Sequence, residues 1–272
     1  MTQLAFLPAR GVIEISGDDR IGFLQGLVSN DVALAGPGRA VWAALLTPQG
    51  KWLADFFIFA TPDRLLLDVE RGQVAGVVQH LGRFRLRAKV ALRDLSDALL
   101  VHAAWGIVPP EKPEGGERAP DPRLPQAGWR LLAPERLAAT ATAEDWNAHR
   151  LALGLPDGSA DLEAEKSVLL EAGFDELNGV SWSKGCYMGQ ELTARTKYRG
   201  LIKRRLVPVT LDGKAPPPGT PVLRDGAEVG TLRSTLGAAG LATLRLDALA
   251  GPLACGSATL RAALPGWMRL PS

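Results

Sequence analysis

Short runs of alternating apolar and polar positions, broken by Gly, Pro and Asp turns, dominate both ends of the chain. Residues Gly11 to Gly17, G-V-I-E-I-S-G, alternate as a half-buried strand does. Asp18 or Asp19 is placed to cap a helix carrying Ile21, Leu24, Leu27 and Val28 on one face. A β-rich stretch follows: A-V-W-A-A-L-L, a T-P-Q-G turn, K-W-L-A-D-F-F-I-F-A, a turn at Thr61-Pro62-Asp63, and R-L-L-L-D-V. Val74, Val77, Val78 and Leu81 take the spacing of an amphipathic helix, and F-R-L-R-A-K-V reads as the strand that closes this block. Irregular alternation of strands and helices predicts an α+β body.

Residues 107–128 are rich in Pro, Gly and charge and predict a mobile surface loop or linker. A helix over Ala143 to Leu153 should stop at Gly154, with Pro156 just beyond. After Gly200 short alternating strands return, with Asp225-Gly226 as a hairpin signal, and predict a small β-barrel. Three segments result: residues 1–106, 107–199 and 200–272.

Composition narrows the classes. With 272 residues, 46% hydrophobic and 22% charged, the chain has the make-up of a globular protein with room for a large core. A net charge of +2 gives no overall attraction to nucleic acid or an anionic membrane. No apolar run is long enough to span a bilayer, and the first residues lack the pattern of a secretory signal. Two cysteines, Cys186 and Cys255, make neither a disulfide framework nor a zinc spacing. The expectation is a cytoplasmic protein with reduced thiols, without nucleic-acid or membrane partners, a monomer or weak dimer.

The chemistry concentrates in S-W-S-K-G-C-Y-M-G-Q-E, Ser181 to Glu191. Gly185 and Gly189 permit tight turns. Lys184 beside Cys186 would favour a thiolate, as would amides at the start of a following helix. Glu191 would oppose it unless Arg195, at the i, i+4 position, pairs with it. A free cysteine is most often a small buried apolar residue. Lys, Gln, Glu and Arg make poor core neighbours, so Cys186 is the site candidate and Cys255, in P-L-A-C-G-S-A, is not. One cysteine cannot hold an iron–sulfur cluster alone, although it can supply one ligand of a transient cluster shared with a partner. No general base adjoins it, since His80, His102 and His149 lie outside the motif.

K-G-C-Y-M-G-Q-E matches the signature K-G-C-Y-x-G-Q-E of the YgfZ family, folate-binding relatives of the glycine-cleavage T-protein. The resemblance extends over I-S-G-D-D-R-I-G-F-L-Q-G-L-V-S-N-D-V, T-P-Q-G-K-W-L-A-D-F, R-L-A-L-G-L-P, F-D-E-L-N-G-V-S-W-S and Y-R-G-L-I-K-R-R-L. It implies a T-protein-like (aminomethyltransferase-like) fold: two interleaved α/β portions and a C-terminal β-barrel around an opening for tetrahydrofolate or a derivative. It also implies service to iron–sulfur proteins as clients or assembly partners, with no tightly bound metal. Cys186 would be the functional thiol, on a loop shaped by Lys184, Gly185, Tyr187, Gly189, Gln190, Glu191 and Arg195. Folate contacts would fall among Asn30, Asp31, Asp55, Arg150, Arg199 and Lys203, with Asp55 a weaker catalytic candidate.

The chain departs from the T-protein pattern at two acidic positions, carrying Ala152 for a glutamate and Ala54-Asp55 for a pair of aspartates. Aminomethyl transfer needs a carboxylate near the folate nitrogen, so these changes count against a transferase. A thiol redox or interaction module is the third reading, weakened by the absence of C-x-x-C. Two basic clusters remain: Arg83, Arg85, Arg87 and Lys89 on the expected strand, and Lys197, Arg199, Lys203, Arg204 and Arg205 after the signature. Either is a solvated face or a landing site for an anion, and the second, adjoining the signature, is the better candidate.

Overall fold

The computed structural model describes residues 2–270 and resolves three hydrophobic cores. In the N-terminal part β1 (Gln3–Phe6), β2 (Arg10–Ser16), α1 (Arg20–Gln25), β3 (Val41–Leu46), β4 (Trp52–Ala60), β5 (Arg64–Glu70), α2 (Val74–Gly82) and β6 (Ala91–Asp94) follow one another. A five-stranded sheet has the order β3-β4-β5-β2-β6, every neighbouring pair antiparallel. Its central strands are covered on both faces, so β2 is buried almost throughout and not half-buried as its alternation suggested.

A second sheet joins β1 to later segments: β7 (Leu100–Trp105), β8 (Glu117–Pro120) and β9 (Trp129–Ala133), in the order β1-β7-β9-β8. Strands from either side of residue 107 therefore share one sheet. α3 (Ala143–Leu153) spans the expected residues, with Thr142 and Asp145 forming a capping box and Gly154 closing it in the left-handed region. The short α4 (Gly158–Asp161) and α5 (Gln190–Tyr198) follow. The rest closes into a six-stranded barrel from β10 (Arg204–Asp212), β11 (Pro221–Arg224), β12 (Ala227–Leu236), β13 (Ala239–Arg245), β14 (Leu253–Cys255) and β15 (Ala258–Ala262). Asp225 and Gly226, both at positive φ, make the hairpin turn between β11 and β12.

Three expectations are corrected. F-R-L-R-A-K-V is a run of turns, not a strand. β2 pairs with β6 only as far as Ser16 and Ala91, so the residues before Ala91 have no strand to join. The Lys89 amide instead donates to the Asp19 carboxylate at 2.7 Å. Residues 107–128 are no free linker, because β8 pairs along β9, and Asp121 and Arg123 are buried. Finally, α1 stops at Gln25, its Ile21 is 42% exposed, and Asp19 caps it without a side-chain bond because its carboxylate serves Lys89.

A chain of buried charges fastens the sheets. Asp68 of β5 takes Arg10 Nε at 2.6 Å on one oxygen and Arg130 of β9 at 3.2 Å on the other. Arg130 continues to Asp121, which holds Arg123 through both carboxylate oxygens. Arg10, Arg123 and Arg130 all stand over the Phe57 ring, at 5.8, 4.9 and 4.2 Å from its centroid. Farther on, Arg150 of α3 binds Asp161 of α4, and Asp161 accepts from the Ser234 hydroxyl and amide of β12, which ties in the barrel. Burial alone would disfavour such charges, and they persist because each is paired.

Removing Asp68 strands two buried arginines. Asp68→Ala is expected to lower the unfolding free energy by about 3–5 kcal/mol in urea titrations, whereas Arg245→Ala, which breaks an exposed pair with Asp247, should lower it by less than about 1 kcal/mol.

Candidate functional site

Cys186 is exposed, and Cys255 is fully buried inside the barrel, as the neighbours of each imply. The loop carrying Cys186 is nevertheless firmly held. Lys184 Nζ donates to the carbonyls of Gln25, Val28 and Asn30 at 2.6, 2.7 and 2.8 Å, filling all three of its N–H directions. These carbonyls lie at and just beyond the C-terminal end of α1, where a cation also meets the negative end of the helix dipole. Burial pushes the Lys184 ammonium down to about 8, with Asp31 pulling the other way. The sequence placed this lysine as an activator of the thiol, but its ammonium is occupied holding the backbone. Tyr187 is buried, its ring 5.2 Å below Lys184 Nζ, and burial raises its hydroxyl to about 12.

Two glycines lock the far side of the loop. Gly189 sits at φ +78 against the T-P-Q-G turn, where a Cβ would lie 2.5 Å from the Thr47 carbonyl and 2.9 Å from Gly50 Cα. A Cβ on Gly50, at φ +81, would in turn lie 2.6 Å from the Gly189 carbonyl. The two sequence motifs thus meet backbone to backbone. The Met188 amide donates to Gly26 and the Ser181 amide to Ser29, completing the anchorage. Around Gly185, by contrast, the space is open.

Between Pro120 at the end of β8, Pro122 just beyond it, the start of β3, and Asn178 to Ser183 lies a cleft of about 670 Å3. Trp182 forms one wall, fixed by its indole N–H on Asp175 at 2.7 Å and by Lys197 over its ring. Arg39 stands exposed at the rim. Only Lys184 and Gly185 separate Ser183, which lines the cleft, from Cys186. Among the described residues no carboxylate lines this cleft.

Asp55 is sealed away from it. The carboxyl is 4% exposed, and its two oxygens accept the indole N–H groups of Trp42 and Trp52 at 2.9 and 3.1 Å. Desolvation raises its pKa, against the pull of Arg10. Trp42, which lines the cleft and binds Asp55 through its indole N–H, stacks on Phe174 with centroids 3.9 Å apart, and Asp55 itself does not line the cleft.

The remaining candidates scatter. Asn30 lines the cleft, but its amide donates to Trp42 and Asn178 carbonyls. Asp31 caps a short 3-10 turn through the Ala33 amide and accepts from Gln25. Arg150 is buried against Asp161 and is closed to a ligand. Arg199 and Lys203 are exposed and away from the cleft lining. Of their cluster, Arg205 is 1% exposed and bound to Glu176, and Lys197 pairs with Asp175, so it is no uniform cationic face. Gln190 opens α5. Glu191 and Arg195 are both exposed and make no ion pair among the described residues, contrary to their spacing. Sequence reasoning missed Arg39, Trp182 and the two prolines. The G-P-G-R turn and the bulky residue ahead of the signature were the available signals.

The fold is that of the glycine-cleavage T-protein. The crystal structure of the glycine cleavage system aminomethyltransferase T from Bartonella henselae matches with a TM-score of 0.78, over 98% of this chain and 86% of that one, at 13% identity. A family model for the CAF17 C-terminal beta-barrel domain matches residues 203–270. The mitochondrial iron-sulfur cluster assembly factors IBA57 of Mus musculus and Homo sapiens are each 32% identical to the chain, over 91% and 96% of it and 78% and 84% of their own lengths. A homologue named likewise from Mycosarcoma maydis is 39% identical over 79% of the chain, which spans 59% of that longer relative. The chain belongs to the IBA57 family of iron-sulfur cluster assembly factors.

These relatives correct one expectation. All three carry "mitochondrial" in their names, which points away from the cytoplasm. Two unpaired cysteines fit a reducing environment, and they do not distinguish one reducing compartment from another.

Gly189→Ala and Lys184→Met test the clamp. Each is expected to lower stability by about 1–3 kcal/mol, through a forced backbone clash or through stranded carbonyls, and to speed amide hydrogen exchange in residues 184–190 selectively.

Proposed function

We propose that this chain is an accessory factor for building or maintaining iron–sulfur proteins, binding a folate in the cleft beside the signature loop and presenting Cys186 to a partner. The observation that carries this reading is the contrast inside one loop. Lys184, Tyr187 and Gly189 are fixed by contacts, whereas the Cys186 side chain is exposed and makes no hydrogen bond among the described residues. A thiol held so firmly at a surface suits brief ligation of a cluster that passes between proteins, with the cluster as cargo. The names of the relatives support the same role. A single cysteine supplies one ligand of a cluster, and a partner would have to supply the rest.

Folate fits the cleft in size and chemistry. Trp182, Trp42 and the two prolines supply apolar walls for a pterin, Ser181 and Ser183 supply hydroxyls, and Arg39 supplies a cation for a carboxylate tail. When bound, a tetrahydrofolate would bring one-carbon or redox chemistry. The residues around it provide binding and orientation, and no carboxylate stands there as a general base. This favours the accessory reading over an aminomethyltransferase.

In cells lacking the gene, the wild-type chain and Cys255→Ala should restore iron–sulfur enzyme activities, and Cys186→Ala should not, with all three proteins melting at the same temperature. Full rescue by Cys186→Ala removes the thiol from the function. Calorimetric titration with tetrahydrofolate should give saturable heat, weakened about tenfold in Trp182→Ala. Absence of heat at large excess would remove the folate from the proposal and leave the thiol.

A further inference from the structure

α1 fixes two loops at opposite ends. At its C-terminal end Gly26 and the carbonyls of Gln25 and Val28 hold the Cys186 loop. At its N-terminal end the Asp19 carboxylate holds the Lys89 amide, and Gly17 lies so close under the Lys89 carbonyl that a Cβ there would come within 2.1 Å of it. With six residues, α1 is about 9 Å long. The Cys186 loop and the 83–89 loop are thereby anchored at the two ends of one short helix.

The 83–89 loop is built in an unusual way. Arg83, Arg85, Arg87 and Lys89 are all exposed, and none of their side chains makes a hydrogen bond or ion pair among the described residues. The nearby carboxylates are Asp18, exposed, and Asp19, held on the Lys89 amide, so positive charge dominates the patch. At its tip Leu86 is 89% exposed with φ +41, a conformation that a leucine adopts at some expense in energy. The backbone is pinned by successive turns, with Phe84 and Arg85 amides on Leu81 and Gly82 carbonyls and the Ala88 amide on Arg85. Ile21 of α1 is also exposed. A loop that needed only to connect α2 to β6 has no reason to hold an apolar side chain outward among four unpaired cations.

We propose that the 83–89 loop is a docking surface for an acidic segment of a protein partner, with Leu86 entering an apolar spot between that partner's carboxylates. Unpaired guanidinium groups fit carboxylates in bidentate pairs, and a rigid loop binds without a large ordering loss. Because both loops are anchored on α1, it would also serve as a grip for the protein that meets the thiol. That last clause rests on the proposed function, while the docking surface itself does not.

The test uses the full chain and a fluorescein-labelled peptide of alternating Glu, Asp and Leu, read by anisotropy at about 20 mM and about 200 mM salt. The wild type should bind, more weakly at the higher salt. Arg85→Glu/Arg87→Glu should lose at least about tenfold in affinity, and Leu86→Gly should lose affinity while melting no lower, because glycine accepts this φ. Cys186→Ala should bind as the wild type does. No binding at low salt, or equal binding by the charge-reversed variant, overturns the proposal. So does binding of phosphatidylglycerol vesicles, dependent on the same arginines, where the peptide does not bind. If Cys186→Ala still fails to restore iron–sulfur enzymes while the peptide assay is negative, only the docking surface falls.

Discussion

Asp68 and the arginines on it set the shape on which everything else relies. Its carboxylate joins β2 and β5 of one sheet to β9 of the other, and the chain of charges runs on through Asp121 and Arg123. Arg150, Asp161 and Ser234 extend the same device to the barrel. Coulombic attraction between buried ions is strong but unforgiving of misplacement, so the network favours one mutual arrangement of the layers. The arginines also crowd Phe57, filling with cations and aromatic rings the space between the sheets. The broad cleft therefore lies outside this plug, where Pro120 and Pro122 face the Asn178–Ser183 segment.

From that arrangement follows a division of labour in the signature. K-G-C-Y-M-G-Q-E reads as a set of reactive residues, yet most of its members serve architecture. Lys184 ends α1, Tyr187 fills a core, and Gly189 allows the P-Q-G turn to approach. What the architecture produces is the position of one sulfur atom. A polar residue beside a cysteine need not tune it chemically, since the same cation can act by fixing the backbone on either side.

Much of this was legible in the chain. α3 with its Gly154 stop, the Asp225-Gly226 hairpin, the barrel and the opposite fates of Cys186 and Cys255 all followed from local pattern, because each depends on nearest neighbours. The failures share a cause: partners that are distant in sequence. R-F-R-L-R-A-K alternates as a strand would, but strand formation needs a free edge, and β2 ends at Ser16. The Pro-rich stretch after 107 carries linker composition, yet β9 offers an edge that recruits residues 117–120. Glu191 and Arg195 have helical spacing, but in solvent such a pair gains too little to be held. Lys184 was noticed for its chemistry because its three carbonyl partners lie more than 150 positions away.

The fate of Asp55 bears most directly on whether an aminomethyltransferase-like fold keeps a carboxylate free for acid–base work. A carboxylate acting on a folate amine must reach it and must change protonation state during the reaction. Asp55 does neither readily: two indole N–H groups occupy its oxygens, it is buried, and it does not line the cleft. Both tryptophans would lose a buried hydrogen-bond acceptor if it moved, which ties the residue to packing. With Ala152 on the exposed side of α3, the second acidic position contributes nothing either. The sheets and barrel of the T-protein fold can thus be kept while this carboxylate is committed to packing, and under the proposed function the exposed thiol is the group through which the protein would meet another molecule.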